Sequence, residues 1–299
     1  MQLGASAAYV RAKAQIPGRE VLVELEINAD KANRARVNQN PVRSQKELFG
    51  IVQAVYFSPE DLDLVRGDPS ERRKFIDQLI TLRSPRIAGV ISDFERAFRQ
   101  RNSLLKQRAN QSSLQAWDEQ VAALGGEVIA ARLKTLKDFE PLFKEIYKEI
   151  SSEKPAWLAY KSSIEEPSDD ALENSKKILE RMSATRNSEI ERGLTLTGPH
   201  RDDLLLNLGE HLVKGYASHG ESWSIALALK LAMYQLLVND GLSPILILDD
   251  VFSELDEERR EHLIELSKRA EQTLITVAVE TDLPKELAGT RYAIKSGTA

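Results

Sequence analysis

Cysteine is absent from the 299 residues, which excludes a disulfide framework and thiolate chemistry and fits a cytoplasmic setting. Four histidines without a cysteine leave a structural zinc site short of its usual ligands. No apolar run approaches the roughly 18 residues of a membrane span, and the first residues lack a signal-peptide pattern. An excess of positive charge is lacking too, with 41 Lys and Arg against 46 Asp and Glu. This argues against a strongly electrostatic nucleic-acid binder, and any such contact must come from a local basic patch. Internal repeats and low-complexity segments are also missing. What remains is an ordinary chain, 42% hydrophobic and long enough for two domains.

The stretch from Tyr216 to Asp256 is the most informative. Ile245-Leu246-Ile247-Leu248 is a branched apolar run that predicts a strand buried on both faces, as in a parallel sheet under helices. Ligands of such sheets bind beyond the carboxyl ends of the strands, where Asp249 and Asp250 emerge. Paired carboxylates there suit a magnesium site and a base for an attacking water. Taken alone, the run is more simply a core strand followed by aspartates that cap the next helix. Upstream, Ser218, Gly220 and Glu221 precede an apolar-periodic helix marked by Ile225, Leu227, Leu229, Leu231, Ala232 and Leu236. A helix N-terminus with a hydroxyl and a glycine can hold a phosphate. Alone, this piece too reads more simply as an N-capped helix.

In this order and spacing, the pieces resemble the ABC-type ATPases that act on DNA. Ser218-His219-Gly220-Glu221 resembles their signature loop, Ile245 to Asp250 their Walker B strand, and Ser253-Glu254-Leu255-Asp256 their D-loop. Four further motifs narrow the resemblance to the RecF family of DNA repair proteins. They are Asn33-Arg34-Ala35-Arg36-Val37-Asn38, Ser58-Pro59-Glu60-Asp61-Leu62, Glu71-Arg72-Arg73-Lys74-Phe75-Ile76-Asp77 and Thr197-Gly198-Pro199-His200-Arg201-Asp202-Asp203.

The resemblance implies an α/β fold: an ABC-type ATPase head (lobe I) with an inserted α-helical lobe II. It also implies ATP sandwiched between two protomers, with Asp249 holding Mg2+ and Asp250 orienting or deprotonating the attacking water. Ser218, Gly220 and Glu221 would face the γ-phosphate held by the other protomer, and Gln53 and Glu60 are candidates for the Q-loop. The implied partners are DNA (single-stranded and gap junctions), a RecR-like protein and a second copy of the chain in an ATP-dependent homodimer. The implied function is recombinase loading and support of the SOS response.

One motif of the family departs. None of the 15 glycines begins the phosphate-loop pattern G-x-x-x-x-G-K-[ST]. This predicts a lobe I incomplete at its N-terminus, no ATP held in cis with useful affinity, and a poorly stable chain with sheet edge and apolar surface exposed. Two readings follow. One is a weak DNA-dependent ATPase whose recorded sequence lacks its start. The other is a non-hydrolysing DNA-binding or scaffold remnant that supplies a signature loop to an intact partner.

Along the chain, residues 1–59 read as the N-terminal part of lobe I, 60–189 as helical lobe II, and 190–299 as the C-terminal part of lobe I. Hairpins are predicted at Pro17-Gly18 and around Asn38-Gln39-Asn40, then a short helix from Ser44 to Leu48 and a buried strand over Ile51–Phe57. Asp68-Pro69-Ser70-Glu71 starts a helix. Amphipathic helices are marked by Ile87, Val90, Ile91, Phe94 and Phe98, and by Leu114, Trp117, Val121 and Leu124, the latter breaking at Gly125-Gly126. Arg34, Arg36 and Arg43, and the set Arg96, Arg99, Arg101, Lys106 and Arg108, are candidates for a phosphate backbone, although solvated faces explain such runs more simply. Thr273 to Val279 reads as a buried strand, and Thr276 or Glu280 falls where the family carries a switch residue.

Overall fold

The computed structural model describes residues 5–16, 18–42, 48, 50–108, 111–151, 154–252 and 255–294. The chain order begins with strands β1 (Ala7–Ile16), β2 (Arg19–Asn28), β3 (Arg34–Val37), β4 (Asn40–Pro41) and β5 (Ala54–Phe57). Helices α1 (Leu62–Arg66), α2 (Pro69–Arg83), α3 (Pro85–Lys106) and α4 (Gln111–Ile150) follow, then β6 (Ala156–Lys161) and α5 (Ala171–Arg192). The remainder is β7 (Asp203–Leu208), β8 (His211–Leu212), α6 (His219–Asn239), β9 (Ile245–Asp249), α7 (Glu257–Arg269) and β10 (Thr273–Thr276). These elements form two compact units, one of Met1–Gln53, Pro69–Asp138 and Tyr160–Leu204, the other of Ala54–Asp68, Phe139–Ala159 and Leu205–Ala299.

In the first unit β1 to β4 form an antiparallel sheet in sequence order. Both predicted hairpins are present. Gly18 turns β1 into β2 at φ +79°, and Asn38 and Gln39 turn β3 into β4 at φ 50° and 69°, the paired left-handed conformation of a type I′ turn. Residues 43–47, including Arg43 and most of the predicted Ser44–Leu48 helix, lie outside the described residues.

The predicted helix break at Gly125-Gly126 does not occur, because α4 runs through both glycines. Their role is close approach. A Cβ on Gly126 would lie 2.4 Å from the Ala171 carbonyl oxygen and 2.7 Å from the Ser175 nitrogen, so α4 seats the start of α5 against its own backbone. On Gly125 a Cβ would come within 3.1–3.3 Å of Pro199, Ile178 and Phe94.

The second unit holds a parallel sheet in the order β10-β9-β5. The strand predicted over Ile51–Phe57 is shorter, since Gly50 turns at φ +85° and Gln53 donates its side-chain amide to the Leu82 carbonyl, leaving only Ala54–Phe57 in the ladder. Likewise β10 ends at Thr276, where the Ala278 N–H turns aside to the Asp250 carboxylate. Strand β9 is parallel to both neighbours as expected, but it is not buried on both faces: Leu246 and Leu248 are buried while Ile245 and Ile247 are half-buried. Helix α6 is buried nearly all round from Ser222 to Leu237, which makes it the core element of this unit.

A third sheet has the order β6-β7-β8, and the chain passes between the units within β6, within β7 and inside α4 after Asp138.

Candidate functional site

Asp249 is the last residue of β9, at the carboxyl end of the parallel sheet, where a strand between two parallel neighbours delivers its side chain to the ligand-binding edge. Its two carboxylate oxygens accept hydrogen bonds from the Tyr56 hydroxyl on β5 and the Thr276 hydroxyl on β10. Those bonds, Thr276 first and Tyr56 second, hold the Asp249 pKa below the usual carboxylate range. Asp250 leaves the strand with φ 52°, a left-handed conformation that aspartate tolerates better than most residues. Its N–H donates to the Thr276 carbonyl at 3.1 Å and its carboxylate accepts the Ala278 N–H at 3.2 Å. Each carboxylate of the pair is thus ordered by its own donors at the end of β9. Each Asp249 oxygen keeps a lone pair after its hydroxyl bond, and Mg2+ takes one or two protein carboxylates and completes its shell with water and phosphate oxygens, so these residues fit that ion.

The signature-like turn lies in the same unit. Ser218 caps α6: its hydroxyl accepts the Glu221 N–H at 3.2 Å while the Glu221 carboxylate accepts the Ser218 N–H at 2.7 Å. Lys154 pairs with Glu221 at 2.9 Å, and that bond together with the Ser218 N–H lowers the Glu221 pKa. Glu221 is thus committed to the cap. Gly220 has no such demand from its own chain, since a Cβ there would meet only the Arg259 guanidinium, at 3.6–3.9 Å, an ordinary contact.

The turn after β9 reaches the same place. Ser253 and Glu254 lie outside the described residues; Leu255 is buried, and Asp256 caps α7 by accepting the Arg259 N–H at 3.0 Å. Arg259 then connects the two motifs: one guanidinium nitrogen donates to the Asp256 carboxylate, and Nε donates to Ser224 Oγ at 2.7 Å. Ser224 in turn donates to the Gly220 carbonyl at 3.1 Å. A continuous relay runs from Asp256 to the backbone of the signature-like turn.

Ser58-Pro59-Glu60-Asp61 forms a capped 3-10 turn in which Asp61 accepts the Ser58 N–H at 3.0 Å. Lys230 of α6, almost fully buried, donates to Asp61 at 2.8 Å and to the Tyr56 carbonyl at 2.9 Å, tying the core helix to the strand that supports Asp249. Of the Q-loop candidates, Glu60 is exposed in this turn, whereas Gln53 belongs to the other unit with its amide spent on Leu82. Sequence reasoning did not find Tyr56, Lys230 or Arg259. Only the positions of Tyr56 and Lys230, an aromatic ending a short strand and a cation in an apolar helix, hinted at them.

Several basic residues read as DNA candidates are otherwise engaged. Arg101 is fully buried and bonds Asp118 and Glu189 at 2.6 Å each and the Thr195 hydroxyl at 2.7 Å, so it cannot meet a phosphate backbone. Arg96 pairs with Asp93 at 2.8 Å and Arg99 with Glu95 at 3.7 Å along α3. The motifs at 71–77 and 197–203 meet each other in the first unit. Arg72 grips Asp203 through two bonds of 2.9 Å, and Arg73 donates to the Asp202 carbonyl at 2.8 Å. Arg132 bonds Asp77 at 2.8 and 2.9 Å and the Pro199 carbonyl at 2.7 Å.

Over 311 aligned residues the chain is 48% identical to the DNA replication and repair protein RecF of Streptomyces avermitilis, across 100% of this chain and 83% of that protein. The chain belongs to the RecF family. RecF of Kineococcus radiotolerans is 46% identical over 326 residues, covering 99% of this chain and 83% of that protein. A solved structure of the recombination mediator protein RecF with ATPrS superposes with a TM-score of 0.85 at 26% identity, over 94% of this chain and 77% of that one. RecF with ATP gives 0.84 at 25% identity, over 93% and 76%. The α/β ABC-type ATPase head with its helical insertion is therefore the fold, and DNA replication and repair is the work of the family. No family model matches the chain. Among the described residues no helix is long and apolar enough to cross a membrane, and no cluster of three or more His, Asp or Glu is poised for a metal.

Proposed function

We propose that the chain binds single-stranded or gapped DNA under the control of ATP and supports recombinase loading and the SOS response with a RecR-like partner. Residues 1–59 and 190–299 would act as lobe I and 60–189 as lobe II. The supporting observation is the Asp249-Asp250 pair at the carboxyl end of β9, joined by residues of the same unit to a glycine turn that its own chain does not crowd.

In this reading Asp249 holds Mg2+, which neutralises phosphate charge when bound. Asp250, fixed by Ala278 and held in a left-handed conformation that costs stability, orients or deprotonates the attacking water. Ser218 and the uncrowded Gly220 present the α6 N-terminus to the γ-phosphate carried by the other protomer of an ATP-dependent homodimer. Glu221 acts by shaping the cap. Ser253, Glu254, Leu255 and Asp256 remain the D-loop candidates by resemblance, and Gln53 and Glu60 the Q-loop candidates.

A second reading, resting on the capped signature-like turn alone, is a DNA-binding or scaffold role in which the chain offers only the signature side of the ATP sandwich. Two titrations separate the readings. Fluorescence anisotropy should show tighter binding to a gapped duplex than to a blunt one, and equal binding to both overturns the DNA assignment. Calorimetry with ATP and magnesium should show binding that Asp249→Asn abolishes. No binding of ATP leaves the second reading.

A further inference from the structure

In the lattice that joins residues 71–77 to the 195–203 loop, arginines outnumber carboxylates. Four arginines converge there: Arg72, Arg73, Arg132 and Arg201. Three carboxylates accompany them, and all are in use. Asp203 takes two bonds from Arg72, and Asp77 takes two from Arg132. Asp202, fully buried, takes the Tyr160 hydroxyl at 2.6 Å and the Ser163 N–H at 2.7 Å.

Arg73 and Arg201 receive only carbonyl oxygens. Arg73 donates to Asp202 O at 2.8 Å, and Arg201 donates through Nε and Nη2 to Thr195 O at 3.3 and 3.1 Å. A carbonyl fixes the direction of a guanidinium without cancelling its charge. Among the described residues neither arginine has an ion-pair partner. Both act on one imidazole between them. His200 is held neutral to about pH 4 by burial first, and then by the charges of Arg201 and Arg73. Arg73 is itself destabilised as a cation by partial burial and by Arg132. Asp203, Asp202 and Asp77 offset part of this cost, and an incoming anion would offset more of it.

We propose that Arg73 and Arg201 are a preset grip for a phosphodiester of the DNA backbone. The proposal rests on the DNA-binding reading above and assigns residues to it. A guanidinium oriented by a carbonyl keeps its remaining N–H groups for two phosphate oxygens and carries no sequence preference.

The test is anisotropy of a labelled gapped duplex, with and without ATP and magnesium, across about 50–200 mM salt, for the full chain and for Arg73→Gln and Arg201→Gln. Each substitution should weaken binding several-fold and lower the slope of log affinity against log salt by about one. Phenylglyoxal modification read by mass spectrometry tests the unaltered chain, where DNA should protect both arginines. Unchanged slopes together with absent protection overturn the grip while leaving the DNA-binding reading intact. Protection by ATP but not by DNA overturns it in favour of a nucleotide site. Failure of the unaltered chain to bind DNA removes both proposals.

Discussion

Arg259 Nε lies 2.7 Å from Ser224 Oγ, and through this bond the turn that follows β9 is fastened to the helix that begins at the signature-like turn. The same guanidinium holds Asp256, and Ser224 is fully buried. A charge-assisted bond in such a place is worth about 1.5–3 kcal/mol. Arg259→Ala and Ser224→Ala should each destabilise the chain, and a double-mutant cycle in urea should give a coupling of about 0.5–3 kcal/mol. Strict additivity would mean that the relay from Asp256 to Gly220 carries no energy.

Two helical glycines should respond to alanine with opposite signs. At Gly126 a Cβ would strike the Ala171 carbonyl at 2.4 Å, and the atom it meets is backbone, so α5 must move. Gly126→Ala should cost about 1–3 kcal/mol in chemical denaturation. Gly89 sits inside α3 with nothing within 4 Å of the added carbon. Gly89→Ala should therefore stabilise by up to about 1 kcal/mol through helix propensity alone. A neutral result at Gly126 would remove the close approach of α4 and α5 as the reason for that glycine.

The contrast marks where the sequence is legible. Gly125-Gly126 reads as a break because glycine is a poor helix former, and only the backbone at Ala171 and Ser175, far along the chain, reveals it as a contact. Strand β9, the I′ hairpin at Asn38-Gln39 and the Ser218–Glu221 cap are local in origin, and their residues announce them. The environment of Asp249 is not local. Its two hydroxyl donors are separated from it by 193 and 27 residues, and no periodicity links them. Arg101 misleads for the same reason, because its counter-ions Asp118 and Glu189 come from other helices and turn an apparent surface charge into a buried one.

His200 should make the chain sensitive to mild acid. Its ring is buried against Phe98, with centroids 4.1 Å apart, and its pKa is pushed down to about 4 by burial. In the unfolded chain the imidazole titrates near its ordinary value of about 6.5. Between those values the unfolded state binds a proton that the folded state refuses, so stability falls as the pH drops through this window and levels off below it. The loss from His200 between about pH 7 and pH 5 should be about 2 kcal/mol. Urea midpoints across this range should flatten in His200→Gln, after subtraction of its fixed cost in packing, and an unchanged slope would place the acid sensitivity elsewhere.

Asp249 should titrate according to its two hydroxyls. Thr276 contributes more than Tyr56 to holding its pKa low. In Thr276→Val the strand is preserved by a β-branched residue of similar shape, but the donor is gone, so the Asp249 pKa should rise towards the ordinary value of about 3.9. Tyr56→Phe should move it in the same direction by less. A depressed carboxylate contributes stability above its unfolded pKa and loses it as the pH falls through the folded pKa, so in both variants this contribution should shrink and the fall in stability across that window should flatten. Carbon-detected NMR of the Asp249 carboxyl reads the shift directly. A titration curve unaltered by Thr276→Val would mean that the hydroxyl does not stabilise the carboxylate, and β10 would then serve Asp249 as scaffold alone.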